Sequence, residues 1–216
     1  MSKRRVVITG LGCVTALAES VDELFTALCE ARSGISNIEA FDTSAYTVRF
    51  GGEVKNFDIT KYNIEVRESK RMDRFAQFAL ASAIQAVADS KIDFTKEDTN
   101  RIGVVVGTGI GGIKEIEDQH IRLLTKSPSK VSPFCVPRLM ANAASGNIAI
   151  KYGLRGPNFC VCSACASGTH AIGEPSSLLI FTKYPALVKS ILPSLSAPKP
   201  RTDDVNKVVS PLPSSF

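Results

Sequence analysis

The sequence predicts an α/β fold, a largely parallel sheet with helices on both faces. Three observations point there. Two β-branched runs, Val6 to Thr9 and Ile102 to Val106, lack polar interruption and read as strands buried on both faces. Stretches of helical period alternate with the strands. Both runs also open directly onto glycine turns, "GLG" from Gly10 and "GTGIGG" from Gly107, as strands do when they hand over to another element.

Taken in order, the first strand at Val6 to Thr9 is followed by a helix over Val21 to Glu30 and a short strand over Phe50 to Val54. The clearest helix spans Ser69 to Ser90, where Met72, Phe75, Ala76, Ala79, Ala83, Val87 and Ala88 recur at helical spacing. The strand Ile102 to Val106 leads through its glycines into a helix over Ile113 to Thr125. A proline-bearing loop, "SPSKVSPFCVP", separates that helix from another at Arg138 to Lys151. A strand through Cys160 and Cys162 and a helix beginning near Cys165 complete the order β, α, β, α, β, α, α, β, α.

Composition bounds the function. A chain of 216 residues with 44% hydrophobic content and no apolar run of membrane-spanning length reads as a soluble globular protein, not one inserted in a membrane. Lys3, Arg4 and Arg5 ahead of an apolar stretch imitate a secretion signal, but β-branched residues broken by Gly10 and Gly12 read as a strand and turn. The expected location is therefore the cytoplasm, with the six cysteines reduced. The net charge is only +5, yet Gln119 to Gly173 holds no Asp or Glu while Arg122, Lys126, Lys130, Arg138, Lys151 and Arg155 fall inside it. That surface favours an acidic partner.

The chain changes character after Glu174. Residues 175 to 216 carry seven of the eleven prolines and eight serines but none of the fifteen glycines. Proline fixes φ and lacks an N–H, so the expected division is a folded unit over 1–174 and an irregular tail over 175–216, with the last helix ending early.

Two motifs carry chemistry. Gly107, Gly109 and Gly112 have dinucleotide-loop spacing, but the acidic residue required about 20 positions on is missing, which favours a turn that lets a helix pack against a strand end. No cofactor is expected. "CVCSACASGTHAIGE" from Cys160 admits more readings. Cys162 and Cys165 form a CxxC and are open to a redox role. Zinc fits poorly, because Cys160, Cys162, Cys165 and His170 lack two separated ligand pairs, and no metal is expected. A lone nucleophile is the third reading: Ala164, Ala166, Ser167 and Gly168 are small residues around a strand-to-helix turn, the design of a nucleophile elbow. An inert buried thiol is the fourth.

The chain resembles a known family at several points at once. "RVVITGLGCVT", "FDTSAY", "KRMDRFAQFAL", "GTGIGG", "SPFCVPRLMANAASGNIAIKYGLRGP" and "SACASGTHAIGE" are similar, in that order, to the β-ketoacyl-acyl carrier protein synthase II family, the elongating condensing enzymes of type II fatty acid synthesis. The resemblance implies a thiolase-like fold, of which this chain covers the N-terminal half of the αβαβα layers, with a mixed five-stranded type of sheet. It implies that Cys165 accepts an acyl chain from acyl carrier protein as a thioester, and that a carbanion from malonyl carrier protein then attacks it to give the 3-oxoacyl product. Cys160 and Cys162 become bystanders. Ile110, Phe134, Cys135 and Ala164 match substrate positions, with Phe134 and Cys135 reaching in from the partner of a homodimer that pairs near Phe159. Arg67, Lys70, Arg71 and Lys130 match positions that dock the carrier protein; nucleic acid is no expected partner. His170 and His120 read as structural and surface residues.

The resemblance stops at Glu174. The family's malonyl-polarising histidines and their lysine belong to a second half with no counterpart in "PSSLLIFTKYPALVKSILPSLSAPKP" or in residues 201–216. A truncated chain or a misread gene boundary is the expectation, with no complete condensation by this chain alone, and with strands such as Ile102 to Val106 left partly exposed. A non-catalytic partner that binds acyl groups or carrier protein, and the redox dithiol, stand as alternatives.

Overall fold

The computed structural model describes residues 6–181. The expected irregular tail beyond residue 181 lies outside the described residues. The chain runs α1 (Val21–Cys29), β1 (Ile35–Asn37), β2 (Phe50–Gly52), α2 (Val66–Ser69), α3 (Arg74–Ser90), β3 (Val104–Gly107), α4 (Ile113–Thr125), α5 (Cys135–Leu139), α6 (Ala143–Tyr152), β4 (Asn158–Val161) and α7 (Ser167–Phe181).

The α/β class holds, and β3 and β4 pair in parallel with Val106 beside Cys160 and Gly107 beside Val161. Where a five-stranded sheet is expected, the described residues form two separate ladders of two strands, the second being the antiparallel pair of β1 and β2. One reason is visible at Val6 to Thr9, which forms no strand among the described residues. It leads into a segment held on the flank of α3: Leu11 N–H donates to Asp89 Oδ2 at 2.8 Å and Cys13 N–H to Gln85 Oε1 at 3.2 Å. A Cβ at Gly10 or Gly12 would collide with the carbonyl oxygens of Ala86 and Ser82. The glycines therefore permit contact with a helix rather than a turn out of a ladder.

α3 is the hub of the core. Its Ala76, Ala79, Leu80 and Ala83 pack with Val104 and Val106 of β3, Ala144 and Ile148 of α6, and Ile59, Ile64 and Met72. Small alanines let α3 and α6 approach closely, which sets the layer. The long helix expected over Ser69 to Ser90 is broken at 70–73, because Asp73 is buried and its carboxylate caps α3 by accepting Phe75 N–H at 3.2 Å. The helix expected over Arg138 to Lys151 is likewise two pieces, α5 and α6.

Both faces of the β3–β4 pair are covered. Val104 and Val106 face α6, and by the period of two Gly107 faces α7, where a Cβ would collide with Ser167 O. Ile102, Val104 and Val106 are consequently buried, contrary to the exposure expected of them. Exposed apolar residues lie elsewhere, among them Val6 to Ile8 and the outer face of α4. α7 also overrides an expectation: it continues through Pro175 to Phe181, since proline breaks one backbone bond but the turns on either side remain helical.

Candidate functional site

The β4–α7 connection is a tight bend. After β4, Cys162 and Ser163 lead into one 3-10 turn over Ala164–Ala166, and α7 starts at Ser167. Ala164 has φ +50°, a left-handed conformation that costs a residue with a Cβ about 1–2 kcal/mol. Ser167 holds the bend. It is buried, its Oγ accepts Ser163 N–H at 2.9 Å, and it shares its proton between Ala164 O at 2.7 Å and Thr108 O at 3.0 Å. Gly107 makes this possible by letting the end of β3 touch the first turn of α7. The glycine motif thus has a packing account at its first position, and Gly111 at φ +75° has a conformational one.

Cys165 is a free, exposed thiol at the crest of this bend, immediately before α7. Cys162 is also free and exposed, but its thiol donates to Gly109 O at 3.1 Å. Cys160 is half-buried, and burial, then the neighbouring Cys162, hold its thiol pKa above the ordinary value, against a hydrogen bond from the Thr108 backbone that lowers it. Three nearby cysteines therefore occupy three environments. His170 stands one turn along α7 with Nδ1 2.7 Å from Ser163 Oγ, so it braces the bend. Among the described residues, no group of three or more His, Cys, Asp or Glu is placed to hold a metal ion.

Beside the bend, the GTGIGG turn carries Ile110, which is exposed. Phe134 caps α5 and is exposed, and Cys135 opens α5 half-buried. Arg67 in α2, with Lys70 and Arg71 just after it, is exposed, as is Lys130 at the end of the 3-10 turn Pro128–Lys130. The Arg71 guanidinium lies over the Phe134 ring, 5.7 Å from its centroid. One basic position and one apolar position from separate motifs are thereby brought together. A cleft lined by Thr15, Glu19, Ser33, Ser36, Glu53 and Lys55 shares no residue with this region.

Sequence reasoning missed Ser167, Glu115 and Gln119. Glu115 is buried, paired to Arg138 at 2.8 Å, and accepts Gln119 Nε2–H at 2.8 Å. The available signal was their spacing four apart on the face of α4 opposite its isoleucines.

The β-ketoacyl synthase N-terminal domain family model matches residues 3–179. The 3-oxoacyl-[acyl-carrier-protein] synthase 2 of Synechocystis sp. is 46% identical over 179 residues, covering 83% of this chain and 43% of that protein. The protein of the same name from Vibrio harveyi is 42% identical over 198 residues, covering 92% of this chain and 48% of its own. Among solved structures, the ishigamide ketosynthase/chain length factor superposes with a TM-score of 0.77 at 26% identity, over 85% of this chain and 46% of that one. The chain spans about half the length of the curated relatives it matches.

Proposed function

Because the chain belongs to the β-ketoacyl synthase family, we propose that Cys165 is the acyl-accepting nucleophile of a 3-oxoacyl-acyl carrier protein synthase of fatty acid synthesis. Its thiolate attacks the carbonyl of an acyl thioester on acyl carrier protein; the new C–S bond forms as the carrier's thiolate leaves and takes up a proton. In the complete reaction, loss of CO2 from malonyl carrier protein gives a carbanion. It attacks the Cys165 thioester, forming the C–C bond and releasing the cysteine thiolate.

The observation that carries this reading is the bend itself: an exposed thiol presented beside a residue held at φ +50° by a buried serine, on the turn from a parallel strand into a helix. Ile110, Phe134, Cys135 and Ala164 are the proposed contacts of the acyl chain, Phe134 and Cys135 reaching it from the partner subunit. Arg67, Lys70, Arg71 and Lys130 are the proposed dock for an acidic carrier protein, and the contact of Arg71 with Phe134 supports placing the two functions side by side. A homodimer pairing near Phe159 belongs to this reading, and β4, which carries Phe159, has β3 as its one ladder partner among the described residues. The cytoplasm is the compartment this reading implies. Among the described residues, no helix is long and apolar enough to cross a membrane.

The test is intact-mass spectrometry of the chain incubated with an acyl carrier protein thioester. One acyl adduct is expected, mapped to Cys165, labile to hydroxylamine, lost in Cys165→Ala and kept in Cys162→Ala. An adduct that persists in Cys165→Ala, or none on the folded wild-type chain, sinks the reading.

A further inference from the structure

α4 is built inside out. Its Ile113, Ile116, Ile121 and Leu124 are exposed, while Glu115 and Gln119 are buried on the inner face, where a helix of a globular protein ordinarily puts apolar side chains. Burying a carboxylate is a poor way to gain stability, and its best-attested use is to specify one arrangement among several. What it specifies here is the segment 132–139. Gln119 Oε1 accepts Ser132 N–H at 2.8 Å at one end of that segment, and Glu115 Oε2 holds Arg138 at 2.8 Å near the other. Glu115 Oε1 accepts Gln119 Nε2–H at 2.8 Å, so the two clamps are one network. Leu139 O then accepts Gly112 N–H at 3.0 Å, tying the segment to the turn that bears Ile110.

α5, five residues long, follows the first clamp and carries the second at Arg138, with Pro133 before it and Pro137 within it. A helix this short does not hold its own shape, so its placement comes from its attachments. We propose that Glu115 and Arg138 are positioning residues that set where Phe134 and Cys135 stand, and thereby, in the homodimer whose acyl site these two residues enter from the partner subunit, the length of acyl chain accepted. This rests on the acyl-site reading for its meaning and on the clamp geometry for its substance.

The experiment is hydrogen exchange by mass spectrometry on the full chain, comparing wild type, E115Q and the double variant E115L/R138M. The double variant replaces the pair by apolar groups of similar size, a change that often leaves global stability intact. Exchange over residues 132–139 is expected to quicken about tenfold or more in both variants, because both remove a directional attachment. The α3 peptide, residues 74–90, should stay within about twofold of wild type if the fold is intact. Unchanged exchange at 132–139 in E115L/R138M, or a rise there matched by α3, overturns the clamp; that variant decides alone if E115Q does not fold.

The second readout is the ratio of Cys165 acylation by a dodecanoyl against a butanoyl thioester, expected to shift on the order of fivefold in E115L/R138M. An unshifted ratio in a chain whose segment has loosened overturns the specificity assignment. If wild type takes no acyl group, the acyl reading fails and the specificity assignment with it, while the exchange result judges the clamp by itself.

Discussion

At the residue scale, Ser167 has the most consequence for its size. Its hydroxyl is the common partner of Ser163 N–H, Ala164 O and Thr108 O, so it ties the end of β3 to both sides of the bend that presents Cys165. Ala would leave the part-buried Ser163 N–H without its acceptor and would relax the hold on Ala164 at φ +50°. Ser167→Ala should destabilise the chain by about 2 kcal/mol in urea unfolding and should slow acylation of Cys165. Unaltered stability would show that the bend is held by packing alone. Among the nearby thiols, Cys165 was legible from its small neighbours and the resemblance. Ser167 was not, since a serine among small residues shows nothing of the carbonyl 59 positions away that it meets.

At the element scale, the N-terminal segment shows how a strand pattern is overruled. Val6 to Thr9 has strand composition, but the residues after it are engaged by Asp89 and Gln85 of α3, and Gly10 and Gly12 sit where only a backbone fits. Gly12→Ala should cost roughly 1–3 kcal/mol by overpacking against Ser82, read as a lowered urea midpoint. It should also raise hydrogen exchange at Leu11 and Cys13 ahead of the rest; equal stability to wild type would remove the close contact as the reason for glycine. The helix boundaries missed at Met72–Asp73 and at 140–142 have the same origin, a local cap or break that periodicity cannot see. Asp73 is a polar residue within an otherwise convincing helical pattern, and only its burial and its bond to Phe75 show that a new helix starts there.

At the scale of the whole molecule, charge is unevenly distributed along the sequence. The acid-free stretch from Gln119 to Gly173 contributes Lys130, while the exposed Arg67, Lys70 and Arg71 come from a distant part of the sequence. Reversing charge at Lys70 and Arg71 together should weaken binding of an acidic carrier protein about tenfold at low salt, with the difference shrinking as salt rises. Reversal at Lys96, exposed and paired with Asp93, is the control expected to change little. Equal effects from both sites, measured by titration calorimetry across salt, would reduce the patch to net charge.

Local periodicity and residue size were enough for the α/β class, for a strand over Ile102 to Val106 that is found at Val104–Gly107, for the helix at Ile113–Thr125 and for the cysteine at a strand-to-helix turn. It took the folded chain to show that Val6 to Thr9 forms no strand among the described residues, that β3 is covered on both faces, and that Glu115 and Arg138 clamp the segment bearing Phe134 and Cys135. The physical reason is range. Propensity and pattern act over a few residues, whereas a ladder partner, a buried ion pair or a hydroxyl shared by two carbonyls depends on groups that meet only when the chain has folded.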